Sequence, residues 1–204
     1  MKNKNTLFLT QLALLVAVAL VLAYTPLGYL NIGPLAVSFM MVPVALGAVL
    51  LGPVGGAVLG TVFGLTSFAQ CFGAAPFGAA LLAISPIATF MVCVPTRLLA
   101  GLLPGFLFKG IYKSDAPALR KNIVFFGTCL LAAVLNTVFF MGGLVLCFYN
   151  TEYIQGFVAA LGASNPFMFV ALFVGIQGVI EALVCCVLSG ILTRVLYPIV
   201  HRVK

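Results

Sequence analysis

Long apolar stretches fill almost the whole chain, and the polar interruptions between them are short. Six stretches stand out, over about 6–23, 35–51, 52–70, 82–108, 123–148 and 167–196. Most approach or exceed the roughly 20 residues that an α-helix needs to cross bilayer hydrocarbon. Only the Gly52-Pro53 turn separates the second stretch from the third, which predicts a tight helical hairpin. The pattern predicts an all-α integral membrane protein, one domain over 1–204 built as a bundle of six transmembrane helices.

Two further patterns bear on packing. Gly52, Gly56, Gly60 and Gly64 recur every four residues along span three, on one helix face. Ala13 and Ala17, then Ala19 and Ala23, repeat that spacing in span one. Such small-residue ridges let a neighbouring helix approach closely, either inside the bundle or on a separate membrane subunit. Span four contains Pro86, Pro95 and Pro104, each removing a backbone donor. Loosened helices in lipid usually line a cavity or a protein interior, because freed carbonyls need partners.

Composition removes whole function classes. Charged residues make up 6% of the chain and hydrophobic ones 64%, against about 25% charged in soluble domains. A water-soluble fold is excluded. No glycine-rich loop ends in Lys-Ser or Lys-Thr, so any ATP hydrolysis belongs to another chain. The net charge of +7 does not suggest nucleic acid once its distribution is read. Lys2, Lys4, Lys109, Lys113, Arg120, Lys121, Arg194, Arg202 and Lys204 all sit at segment ends. The opposite loops, over about 24–34, 71–81 and 149–166, carry no Lys or Arg. The positive-inside rule then places both termini in the cytoplasm of a multi-pass cell-membrane protein. A cleaved signal peptide is the rival reading of the first span. The cysteines form no Cys-x-x-Cys, and the single histidine, His201, lies in the tail. Neither a metal site, nor a cofactor, nor an enzyme is expected from that inventory.

Candidate chemistry is confined to a few polar residues at membrane depth. Arg97 and Glu181 each fall about 21 Å below the outer end of their spans, and Asn136 about 20 Å above the inner end of span five. All three can meet near the midplane. Gln177 lies one turn outward of Glu181, and Thr66, Ser67 and Gln70 lie near the outer end of span three. Asn31 is the polar side chain of an apolar, Gly/Pro-rich outer loop, and Cys71 to Gly78 form a similar one. Loops of that kind suggest lids over a pocket, or interfacial anchors. Arg97 and Glu181 have two readings. One is an ion pair that holds helices together. The other is a pocket in which Arg97 faces a ligand carboxylate or phosphate, with Asn136 and Gln177 serving amides and hydroxyls.

Several strings carry a resemblance. They are Val42-Pro-Val-Ala-Leu-Gly-Ala-Val-Leu-Leu-Gly-Pro53, Gly60-Thr-Val-Phe-Gly-Leu-Thr-Ser-Phe68, Val94-Pro-Thr-Arg-Leu-Leu-Ala-Gly101, Leu135-Asn-Thr137 and Glu181-Ala182. In this order and spacing the chain resembles the substrate-binding S component of an energy-coupling-factor (ECF) vitamin transporter. The resemblance implies a six-helix bundle that captures a vitamin from outside. It also implies a transmembrane coupling subunit and two ATPase subunits as partners, with Ala13 and Ala17 on the face that meets the coupling subunit. Ligand would lie in the outer half, beneath loops one, three and five, with Arg97, Asn136 and Glu181 at recurring family positions. The Gly-Leu-Thr-Ser-Phe string is most similar to pantothenate carriers, whereas Gln70-Cys71-Phe-Gly73 departs from them and leaves folate and riboflavin open. A non-transporting membrane scaffold is the alternative in a different class.

Overall fold

The structure is a computed structural model that describes residues 4–25, 28–32 and 35–202, with the side chains of 4, 29–32, 35–37, 176–177 and 201–202 outside the description. The chain runs α1 (Lys4–Tyr24), β1 (Tyr29–Ile32), β2 (Leu35–Ser38), α2 (Met41–Leu50), α3 (Gly52–Gln70), α4 (Pro76–Ile84), α5 (Pro86–Ile111), α6 (Ala118–Phe148), α7 (Glu152–Ala160) and α8 (Pro166–Arg202). Among the described residues, five helices are long and apolar enough to cross a membrane.

The second predicted span is the main departure. Its first residues form β2, which pairs antiparallel with β1 in a register that sets Tyr29 against Ser38 and Ile32 against Leu35. Helix begins only at Met41 and lasts 10 residues, about 15 Å. That is too short to span hydrocarbon alone, and the hairpin makes the protein not wholly α. The Gly33-Pro34 pair in the sequence disfavours helix on its N-terminal side. In α2, Met41 and every residue from Pro43 to Leu50 are buried. Wrapped by α3, α5, α6 and α8, α2 is apolar on all sides because protein surrounds it on all sides. Pro43 falls in its first turn, where a backbone donor would have no helical partner.

The glycine ridge of span three packs within the bundle. A Cβ at Gly56 would collide with the Gly101 carbonyl, and one at Gly101 with the Gly56 carbonyl. A Cβ at Gly60 would strike the Arg97 carbonyl, and one at Gly64 would lie 2.7 Å from Val94 Cα. So α3 and α5 touch backbone to backbone over two turns beside Arg97. Gly52 differs from the rest of the ridge. It has φ 79° with open space around it, and its role is the sharp reversal between α2 and α3.

Span four also differs from expectation. It begins at Pro86 rather than near residue 82, because Ser85 caps it, its hydroxyl accepting from the Ala88 N–H at 3.4 Å. Pro86 is thus a helix-starting proline, and α5 continues through Pro95 and Pro104. The break falls in span six instead. Gly175 takes φ 45° and ψ −138° inside α8, a backbone that glycine tolerates and side-chain-bearing residues avoid. The outer loops are largely helical. Leu81 of α4, Ile154 of α7, Phe148 of α6 and Phe169 and Phe173 of α8 share one buried cluster.

Candidate functional site

An internal cavity of about 610 Å³ lies among α3, α5, α6 and α8, covered by α4 and α7. Each wall follows from helical spacing. Phe63, Ser67 and Gln70 line it from α3, Thr89, Cys93 and Arg97 from α5, and Asn136, Thr137 and Phe140 from α6. Repeats of three and four residues place each set on one helix face. Val174, Gly178 and Glu181 complete it from α8, Ser38 from β2, and Phe77, Tyr153 and Phe157 from the covering helices.

Arg97 is 6% exposed. Its Nη1 donates to the Val92 carbonyl at 2.6 Å and to Thr96 Oγ1 at 3.3 Å. The guanidinium carbon lies 4.1 Å from the centre of the Phe140 ring and 5.4 Å from that of Phe63. A desolvated cation over an aromatic face gains about 2 kcal/mol. The side chain is therefore held by its own helix and two rings, and its charge also acts on Glu181. Glu181 in turn accepts from the Ser38 backbone N–H. The hairpin thus reaches the acidic group of the cavity through main chain, with no charged residue of its own.

Asn136 is 8% exposed and lines the cavity, and its Oδ1 has no hydrogen-bond partner among the described residues. A buried amide oxygen left in that state costs about 1–3 kcal/mol. A donor entering the cavity would remove that penalty. Burial pushes the Tyr153 phenol above its ordinary pKa, so it enters the cavity roof as a neutral hydroxyl.

The remaining candidates divide. Ser67 lines the cavity with its hydroxyl 4.0 Å from Cys93 Sγ. Gln70 lines it too, while its Nε2 donates to the Ala23 carbonyl at 2.8 Å and ties α3 to the end of α1. Thr66 does not line it. Its hydroxyl donates to the Phe63 carbonyl at 2.9 Å, because one residue before Ser67 is about 100° around the helix. The side chains of Asn31 and Gln177 lie outside the described residues. Ala13 and Ala17 are exposed on α1, whereas Ala19 and Ala23 are buried against the bundle. The cysteines are free thiols, and Cys71 and Cys93 line the cavity.

Sequence reasoning missed Ser38, Thr89, Thr137 and the aromatic cover. Thr89, Cys93 and Arg97 repeat at four-residue spacing, a signal that was available. Nothing in the sequence pattern marks Phe77, Tyr153 and Phe157, since apolar residues on two short helices look like ordinary interfacial anchors. Phe77 sits 5.8 Å from Tyr153, 6.0 Å from Phe157 and 5.7 Å from Phe173, ring centre to ring centre. That aromatic cluster joins α4, α7 and α8 over the cavity.

No curated protein matches the chain. A family description does: residues 7–193 match the model for "ECF transporter, substrate-specific component". With apolar helices fit to cross a membrane and a buried, polar-floored cavity between them, the chain belongs to the ECF transporter family as a substrate-specific component.

Proposed function

We propose that this subunit captures a water-soluble vitamin or related small metabolite in the 610 Å³ cavity and delivers it to a transmembrane coupling subunit driven by two ATPase subunits. One observation carries the reading: a buried cation, a buried acid and an unpartnered buried amide converge under an aromatic cover. In this reading Arg97 meets an anionic group of the ligand. Asn136 accepts from a ligand hydroxyl or amide, and Glu181 takes a second donor. Ser67, Gln70 and Gln177 supply the polar wall, and Asn31 belongs to the hairpin that closes over it. Pantothenate, with one carboxylate, an amide and two hydroxyls, fits these partners first, and folate or riboflavin would lean on Phe63, Phe140 and Phe77.

The same reading sets topology. Strand β2 followed by α2 makes the second of six passages, its extended part tolerated at depth because protein encloses it. Both termini then face the cytoplasm of the cell membrane, with the basic ends. A scaffold would have no use for a cavity with buried polar groups, which sets that alternative aside. The test is thermal stabilisation of the purified protein against a vitamin panel. A true ligand at 100-fold its Kd adds about 2.7 kcal/mol. No stabilisation by any member would overturn the vitamin assignment.

A further inference from the structure

A second feature lies at the far end of the bundle, about 18 Å along α5 from Arg97. There Phe108 and Tyr112 of α5, Phe125 of α6 and Tyr197 of α8 interlock, with ring centres 4.8–5.8 Å apart. The cluster draws three helix ends together, and basic residues follow it. Lys121 lies one turn from Phe125 on the same face of α6, and Arg194 lies one turn from Tyr197 on α8. The α6–α8 register brings these two together. A Cβ at Gly190 would strike the Phe126 ring, and Cys186 Sγ donates to the Phe126 carbonyl at 3.5 Å. One turn further along, Arg194 faces residues 120–122. Arg194 and Arg120 are exposed and Lys121 partly so. The nearest described acid in sequence, Asp115, accepts from the Ser114 hydroxyl at 2.9 Å.

Immediately beside these cations the same helices present exposed Ile123, Ile191 and Val195. A site for a soluble anion has no need of hydrocarbon contact, and a site for hydrocarbon alone has no need of clustered cations. Both features together match a molecule with an anionic head and acyl chains. We propose that this end of the α6–α8 seam seats the phosphate of an anionic phospholipid, with its acyl chains along the apolar flank. Arg194 supplies a planar, two-donor grip on the phosphate and Lys121 a point charge. A zwitterionic lipid brings its own cation into the seat and is disfavoured. Basic pockets between membrane helices hold anionic headgroups in this way, and the site does not depend on which ligand fills the cavity.

The experiment places the full chain in nanodiscs of phosphatidylcholine, with or without phosphatidylglycerol, and reads retained lipid by native mass spectrometry and stability by thermal melting. The wild type is expected to retain phosphatidylglycerol selectively and to melt higher in its presence. Each basic residue near an anionic lipid contributes ~1 kcal/mol, about a fivefold change. Lys121→Gln with Arg194→Gln should therefore weaken retention about 25-fold while melting like wild type in pure phosphatidylcholine. Lys4→Gln, on α1, should leave retention unchanged. Equal retention by wild type and the double variant overturns the proposal, as does a stabilisation reproduced by inorganic phosphate alone. If the double variant does not fold, Arg194→Lys must retain the lipid and Arg194→Gln must lose it, and equal behaviour of those two overturns it as well.

Discussion

Arg97 illustrates how a charge persists in an apolar bundle. A lone guanidinium at membrane depth costs about 2.5–3.5 kcal/mol on insertion scales. Here the Val92 carbonyl, the Thr96 hydroxyl and the Phe140 ring offset that cost from within α5 and α6. Those contacts leave the cation lining the cavity. Arg97→Ala should therefore fold and lose an anionic ligand by at least 100-fold in Kd, measured by ligand-dependent melting of the pure protein. Asn136 gives the reverse prediction for stability. Its Oδ1 lacks a partner, so Asn136→Leu should leave the ligand-free melting temperature unchanged or raise it, while weakening binding about tenfold or more. A variant that melts lower and binds normally would show that Asn136 is a structural residue.

At the scale of elements, glycine carries the α3–α5 contact. Gly60 lies against the Arg97 carbonyl, so this packing also sets the position of the cavity's cation. Alanine at Gly60 would gain helix propensity of about 1 kcal/mol, but the obstacle is backbone and cannot swing aside. Overpacking of that kind costs about 1–3 kcal/mol. Gly60→Ala is expected to lower the melting temperature and weaken ligand binding together, whereas Gly110→Ala, with open space around it, should do neither. The long helices and the four-residue glycine ridge were readable from the sequence because length and spacing report directly on one-dimensional order. The β1–β2 hairpin was not, because apolar residues in a half-buried strand and in a buried helix look alike over so short a run. The Gly175 break was hidden for a related reason, since an isolated glycine in an apolar span is usually plain helix. Cavity residues were readable where polarity interrupts an apolar face, as at Arg97, Asn136 and Glu181. They were not readable where rings do the lining.

For the molecule as a whole, α1 is the loosely held element. It packs on α2 and α3 through Ala19 and Ala23 and leaves Ala13, Ala17, Leu14 and Val18 exposed. A helix attached along one edge suits docking to a second membrane subunit. Gln70 links its end to the cavity wall. Ala13→Trp should leave ligand affinity within about twofold and reduce uptake by the assembled transporter at least tenfold, since bulk on an exposed face blocks close helix approach. Loss of binding by the isolated variant would place Ala13 in the ligand site instead. The account depends most on small-molecule capture by the buried cavity, and mass spectrometry of compounds released from the purified chain tests that most directly. One polar, anionic metabolite should be released near stoichiometrically from the wild type and be absent from Arg97→Ala. Release of no compound, or of the same compound in equal amount from both proteins, would contradict it.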